Sequence, residues 1–177
     1  MSQPTAAIAG LGITEQGKVF GKTAQQFAAQ AVRLAAADAG LELSDIDGLL
    51  VSGGLKGRVG IELQQQLGLT DLRLLTQMQG YGSTAGQMVQ YASMAVQSGM
   101  VDTVAIVWAD APLKEKGSSS AAYSGSRRMP RGFDGITASN GIMSPTTMYA
   151  LAARRHMKKY GTTYDHFGAI AVTQREW

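Results

Sequence analysis

Leu74-Leu-Thr-Gln-Met-Gln79-Gly80-Tyr81-Gly82-Ser83-Thr84-Ala85 is the stretch on which the fold turns. Leu72 to Gln79 reads as a strand. From Ser83 to Ser98, the residues Ala85, Met88, Val89, Ala92, Ala95 and Val96 recur at helical spacing, and Gly99 closes the helix. Between Arg73 and Asp102 there is no Asp, Glu, Lys or Arg, so this helix is expected to be buried on every side, at the centre of a layered fold. A membrane span is the rival, but Gln77, Gln79, Gln87, Gln90 and Gln97 interrupt the apolar continuity it needs. Thr103 to Ala109 is the clearest strand in the chain. A strand, an uncharged helix and a strand, with Gly80 and Gly82 at the first junction, make an α/β pattern.

The pattern continues on both sides. Gly48 to Ser52 reads as a strand running into Gly53 and Gly54, and Gly60 to Leu67 as a short helix. Thr23 is placed to cap a helix that ends at Gly40, with Ala24, Phe27, Ala28, Ala31, Leu34 and Ala35 on its apolar side. The apolar, glycine-punctuated run Ala6 to Ile13 is expected to be the first strand. Beyond Asp110, residues 111–143 are rich in Ser, Gly, Arg and Lys without sustained period and read as a long loop. Ser144 and Pro145 open a helix to Tyr160, Gly161 stops it, and a last helix follows through Gln174. The expected organisation is a core at 1–110, a loop region at 111–143, and helices at 144–177 leading toward a separate or missing second half. The absence of a stop signal after Trp177 suggests truncation.

The 177 residues, 45% hydrophobic and 16% charged, suit a packed interior rather than a disordered chain. With no Cys, disulfides, cysteine-bound metals and cysteine nucleophiles are excluded. A net charge of +3 does not call for nucleic acid, but it is unevenly spread. Residues 1–110 carry six Lys/Arg against nine Asp/Glu, and residues 111–177 carry ten against four. An anionic ligand is therefore expected on the second part. The first residues lack the basic and apolar regions of a signal peptide, so a cytoplasmic location is the default expectation.

Backbone amides at the start of the Ser83–Ser98 helix, with its dipole, would favour a phosphate, a carboxylate or a developing oxyanion. Gly80-x-Gly82-x-x-Ala85 also approaches a dinucleotide fingerprint. That motif belongs after a first strand, with an acidic residue about 20 positions on, whereas Asp110 comes later and ends the fourth expected strand. Small residues that let a helix pack on strands are the structural alternative. On the Ser144–Tyr160 helix, Arg154/Lys158 and Arg155/Lys159 form two rows of like charge, which with Arg127, Arg128 and Arg131 could meet a phosphate-rich ligand, or could be a solvated face. His156 and His166 stand isolated, without a partner at metal-ligand spacing.

Ala6 to Glu15, Ala31 to Gly48, and the strand, helix, Gly99, strand unit ending at Trp108 together resemble the thiolase superfamily. The resemblance is strongest to sterol-carrier-protein-type thiolases and to the related lipid-transfer-type aldolases of bacterial steroid side-chain degradation. Met148 to Trp177, with Tyr160-Gly161-Thr162, is similar to the same group. In thiolases a Cys-Ala-x-Gly-x-x-Ala motif precedes the central helix. Here Gly82 and Ala85 match its later positions, and Gln79 stands where the nucleophilic Cys belongs. A carboxamide cannot form an acyl thioester, so thiolysis by the usual route is not expected.

The resemblance implies the N-terminal half of a layered αβαβα fold with a loop excursion. It implies a homodimer through this half and a coenzyme A thioester as substrate, its phosphates held by Arg127, Arg128, Arg131, Arg154 and Arg155. No metal or redox cofactor is expected in this chain. Cysteine-free relatives include retro-aldol lyases that split a β-hydroxyacyl-CoA and work with an OB-fold, zinc-ribbon partner protein. For such a reaction Gly80, Tyr81, Gly82 and Ser83 are the oxyanion-hole candidates, and the general base is expected outside this chain. Two other classes compete: a non-catalytic thiolase-like scaffold, and a nucleotide-binding α/β domain using Gly80 to Ala85.

Overall fold

β1 (Gly48–Ser52) is buried at all five positions and is the middle strand of a parallel sheet. β2 (Leu74–Gln77) and β3 (Val104–Trp108) flank it in the order β2-β1-β3. Gly48 lies opposite Leu74 on one side and Val104 on the other, so the three strands start level. The computed structural model describes residues 6–55, 57–116, 122, 131–142 and 144–177. The chain divides into two compact units, residues 1–124 and 125–177.

In the first unit, alternation along β1 feeds two cores. Leu49 and Val51 pack with Val107 against α1 (Ala24–Asp38) and α2 (Leu63–Leu67), through Ala28, Val32, Leu63 and Leu67. Leu50 points the other way and joins Leu74 and Val101 against Met88, Ala92 and Ala95 of α3 (Thr84–Gln97). The two crossovers, β1 to β2 and β2 back past β1 to β3, run in opposite directions. Right-handed connections then place α2 and α3 on opposite faces, which gives the helix, sheet, helix layering. α1 starts where the sequence predicts: the Thr23 hydroxyl accepts from the Gln26 N–H, and the Gln26 side chain accepts from the Thr23 N–H.

Three expectations are corrected. Ala6 to Ile13 joins no strand among the described residues; its glycines instead bring the backbone against α1. A Cβ on Gly12 would meet the Ala35 nitrogen at 2.7 Å, and the Leu11 N–H donates to the Asp38 carboxylate at 2.9 Å. An apolar run with glycines specifies close approach, but whether it pairs depends on a neighbouring strand edge that its own sequence does not encode. α3 is buried on one face only. Met88 is fully covered while Val89 and Met94 are 44% and 58% exposed, because the sheet is the only layer packed on it among the described residues. Finally, α4 (Phe133–Ser139) lies within the stretch expected to be a loop. Its seven residues are too few to register as a period, and Gly141 at φ 76° lets the Ile142 N–H turn back to the Thr137 carbonyl.

The second unit also contains α5 (Pro145–Tyr160) and α6 (Tyr164–Glu176). Ser144 caps α5 ahead of Pro145, and Gly161 ends it at φ 71°, as the sequence predicts. Among the described residues no helix is long and apolar enough to cross a membrane.

Candidate functional site at the start of helix α3

In open α/β sheets ligands gather beyond the carboxyl ends of the parallel strands. Two polar side chains, Asp110 and Gln79, lace those ends together here. After β3, the Asp110 carboxylate accepts the Leu55 N–H at 3.0 Å and the Ala111 N–H at 2.9 Å. After β1, Gly54 turns at φ 62°, and a Cβ there would meet the Asp110 carboxylate. After β2, the Gln79 carboxamide donates to the Gly54 carbonyl at 2.7 Å. Its oxygen accepts from the Tyr81 N–H at 3.2 Å and from the Thr84 hydroxyl at 3.1 Å.

Residues 80–84 form a tight turn into α3. Thr84 is buried at 2% exposure, and its hydroxyl oxygen accepts the Gly80 N–H at 2.9 Å. The Ser83 N–H donates to the Gly80 carbonyl, the Ser83 hydroxyl donates to that same carbonyl, and Gln87 donates to the Ser83 hydroxyl. The left-handed residue of the turn is Tyr81, at φ 52°, with its side chain 78% exposed. That conformation costs a non-glycine residue about 1–2 kcal/mol, so the bonds around it must hold it in place.

Of the four oxyanion-hole candidates, the turn consumes the N–H groups of Gly80, Tyr81 and Ser83 internally. The Gly82 N–H donates to no group among the described residues. Neither φ nor packing explains the glycine at 82, since its φ is not left-handed and a Cβ there would meet nothing within 4 Å. The space beside it, at the positive end of the α3 dipole, is open. One further polar group belongs to these strand ends: the Ser52 hydroxyl, fully buried and without a hydrogen-bond partner among the described residues. By alternation it shares the α3 face with Leu50.

A second concavity of the first unit, about 360 Å³, lies by β3 and is lined by Ile13, Phe20, Phe27, Trp108, Asp110 and Leu113. It carries mixed charge, with Glu15, Lys22 and Asp110 around it, and is no basic cradle. In the second unit, Arg154, Arg155 and Lys158 share a shallow concavity with Gly161 and Thr162. Arg131 is not among its lining residues, and Arg127 and Arg128 lie outside the described residues. Lys158 and Lys159 fall in the last turn of α5, where the helix dipole already favours cations without any ligand. Both histidines have structural partners: His156 Nδ1 lies 2.8 Å from the Thr162 hydroxyl, and His166 Nδ1 accepts the Thr163 N–H as part of the α6 cap. The residues that sequence reasoning passes over are Gly54 and Thr84. Topology brings Gly54 to Gln79, and the local turn brings Thr84.

No family model matches the chain. It is 35% identical over 175 residues to the steroid side-chain-cleaving aldolase of Thermomonospora curvata, an alignment covering 97% of this chain and 44% of that protein. It is 32% identical over 177 residues to the 17-hydroxy-3-oxo-4-pregnene-20-carboxyl-CoA lyase of Mycobacterium tuberculosis, covering 97% and 45%. Among solved structures, the Ltp2-ChsH2(DUF35) aldolase matches 99% of this chain and 44% of its own, with 34% identity and a TM-score of 0.74. The chain is a homologue of these steroid side-chain aldolases. Its α/β layering is the thiolase-like fold expected from the sequence, and it spans a little under half the length of these curated relatives. Gln79, which the sequence resemblance aligns with the thiolase nucleophile, has its carboxamide bonded on both sides.

Proposed function

We propose that the complete protein is an acyl-CoA lyase that cleaves a carbon–carbon bond by a retro-aldol route, with a β-hydroxyacyl-CoA such as a steroid side-chain thioester as substrate. The observation that carries this reading is Gln79: a non-nucleophilic carboxamide, bonded at both its donor and its acceptor end, which the sequence resemblance aligns with the thiolase nucleophile, in a chain similar along its length to steroid side-chain aldolases. In such a reaction a base takes the proton of the β-hydroxyl. The bond between the α and β carbons then breaks, leaving a carbonyl compound and the enolate of the shorter acyl-CoA, which is protonated at its α carbon. The free Gly82 N–H at the head of α3 is the donor this chain offers to the enolate oxygen. Arg154 and Arg155 are our candidates for coenzyme A phosphates, together with Arg127, Arg128 and Arg131. The DUF35 component named in the solved aldolase supports an OB-fold, zinc-ribbon partner for this protein too. A homodimer in the cytoplasm completes the proposal, and the uncharged outer face of α3 suits burial against a second copy.

The complete protein, supplied with a β-hydroxyacyl-CoA, is expected to release a carbonyl compound and a shorter acyl-CoA. A β-ketoacyl-CoA with free coenzyme A should give no thiolysis, and robust thiolysis of that pair alone would overturn the reading. Gly82→Ala isolates the site from the fold. The added methyl enters open space, so the thermal midpoint should stay within about 2 °C or rise slightly, as alanine restricts the unfolded chain. Turnover should nevertheless fall about tenfold or more as the methyl displaces the substrate oxygen from its donor. Unchanged turnover in Gly82→Ala would remove Gly82 from the site.

A further inference from the structure

We propose that Gln79 is a positioning residue: its carboxamide braces the Tyr81–Gly82 backbone against the end of β1, and so keeps the Gly82 N–H as the turn's open donor. The inference rests on the site assigned above and goes beyond it, because it gives the residue at the former nucleophile position a role of its own. A donor inventory of the turn leads there. The Gly80 N–H is held by Thr84, the Tyr81 N–H by Gln79, the Ser83 N–H by Gly80, and the Thr84 N–H by Tyr81, which leaves Gly82. Thr84 is fixed by its own helix. Among the described residues Gln79 alone carries the turn's bonding to another element, through the 2.7 Å bond to the Gly54 carbonyl, and Gly54 in turn rests on Asp110.

The chemistry of the contacts selects glutamine. One end must donate to a carbonyl while the other accepts an N–H and a hydroxyl, which a primary amide does and a thiol or carboxylate does not. The Thr84 hydroxyl sharpens the dependence. It has one proton and two acceptors within reach, Gln79 Oε1 at 3.1 Å and the Tyr81 carbonyl at 2.8 Å. Withdrawing the Gln79 oxygen hands that proton wholly to Tyr81 and leaves the Tyr81 N–H unbonded beside Gly82. The turn then has two loose donors and a left-handed residue with fewer restraints. Where relatives of the thiolase type keep a reacting sulfur, this chain keeps a strut.

Two readouts test the strut separately from the reaction. In this chain, with no activity required, Gln79→Ala should speed amide hydrogen exchange at Tyr81 about tenfold, the weight of one hydrogen bond, while amides of β1 remain protected. In the complete protein, cleavage of a β-hydroxyacyl-CoA by Gln79→Ala should show kcat lowered about tenfold to a hundredfold with KM nearly unchanged. Gln79→Glu keeps the acceptor and loses the donor. Its rate relative to wild type should be lowest at neutral pH and recover as pH falls, because the protonated carboxyl regains a donor for the Gly54 carbonyl. Unaltered exchange at Tyr81 in Gln79→Ala overturns the brace, as does a Gln79→Glu variant that matches or exceeds wild type at neutral pH. A wild-type protein inactive on the thioester, with exchange at Tyr81 accelerated in the variant, sinks the retro-aldol proposal and upholds the brace.

Discussion

Leu50→Ala is expected to destabilise the first unit by about 3–5 kcal/mol, a large share of the roughly 5–15 kcal/mol by which a domain of ordinary stability holds together. Leu50 is completely buried at the middle of the central strand, and it belongs to the cluster that seats α3 through Met88, Ala92 and Ala95. The cost has two parts, the transfer free energy of the deleted carbons and the cavity they leave. Neighbours on β2 and β3 cannot close that cavity, because Leu74 and Val104 are held in register with Gly48 by the ladders on either side. Urea unfolding followed by Trp108 fluorescence measures it, in a Trp177→Phe background that leaves Trp108 as the only tryptophan of the two. A loss below about 1 kcal/mol would mean that the α3 face is not the tight core described. The same substitution should loosen the candidate site, since α3 begins at Thr84 and anchors the turn that holds Gly82.

The uncharged stretch from Arg73 to Asp102 contains β2 and α3, the strand and helix that the sequence puts there. Strands at Gly48–Ser52 and Val104–Trp108 and the caps at Thr23, Ser144 and Gly161 are local signals, and each lies where the sequence puts it. The expectations that fail are non-local. Ala6 to Ile13 has the composition of a strand, yet pairing is a property of two segments, and this one meets α1 through Gly10 and Gly12 instead. The absence of charge on α3 predicts a helix covered all round. Lack of charge records what a surface tolerates, and the sheet covers one side of it among the described residues.

The site divides in the same way. Gln79 can be found from sequence because a motif lines up around it. Its bond to Gly54 cannot, since it depends on the loops after β1 and β2 ending beside each other, and its bond to Thr84 appears only once the turn of residues 80–84 has formed. Among Gly80 to Ser83 the sequence offers no means of choosing a donor. Only the hydrogen bonds of the folded turn single out Gly82.

The opposite ends of the strands are tied by Asp47, and Asp47→Asn should cost about 2–4 kcal/mol, the weight of several charge-assisted hydrogen bonds partly retained by the amide. Asp47 sits just ahead of β1. Its carboxylate accepts the Thr103 N–H at 2.8 Å and the Asp102 N–H at 3.0 Å, at the start of β3, and pairs with Arg73 at 3.2 Å, at the start of β2. Arg73 also donates to the Gly99 carbonyl, which ends α3. Burial acts to raise the pKa of Asp47, but the N–H groups of Thr103 and Asp102 and the Arg73 charge outweigh it, and the carboxyl lies below its ordinary value. A carboxyl depressed on folding adds stability above its unfolded pKa and gives it up as pH falls through the folded one. Wild-type stability should therefore drop below about pH 4, the ordinary carboxylate range, as the anion is protonated. Asp47→Asn, which has no proton to gain there, should show a shallower acid limb, so that the gap between the two proteins narrows toward low pH. Urea midpoints taken from about pH 7 down to about pH 2.5, across the carboxylate range, measure that gap. A constant difference across the series would mean that the Asp47 charge does not hold the strand ends, and that the side chain serves there only by its shape.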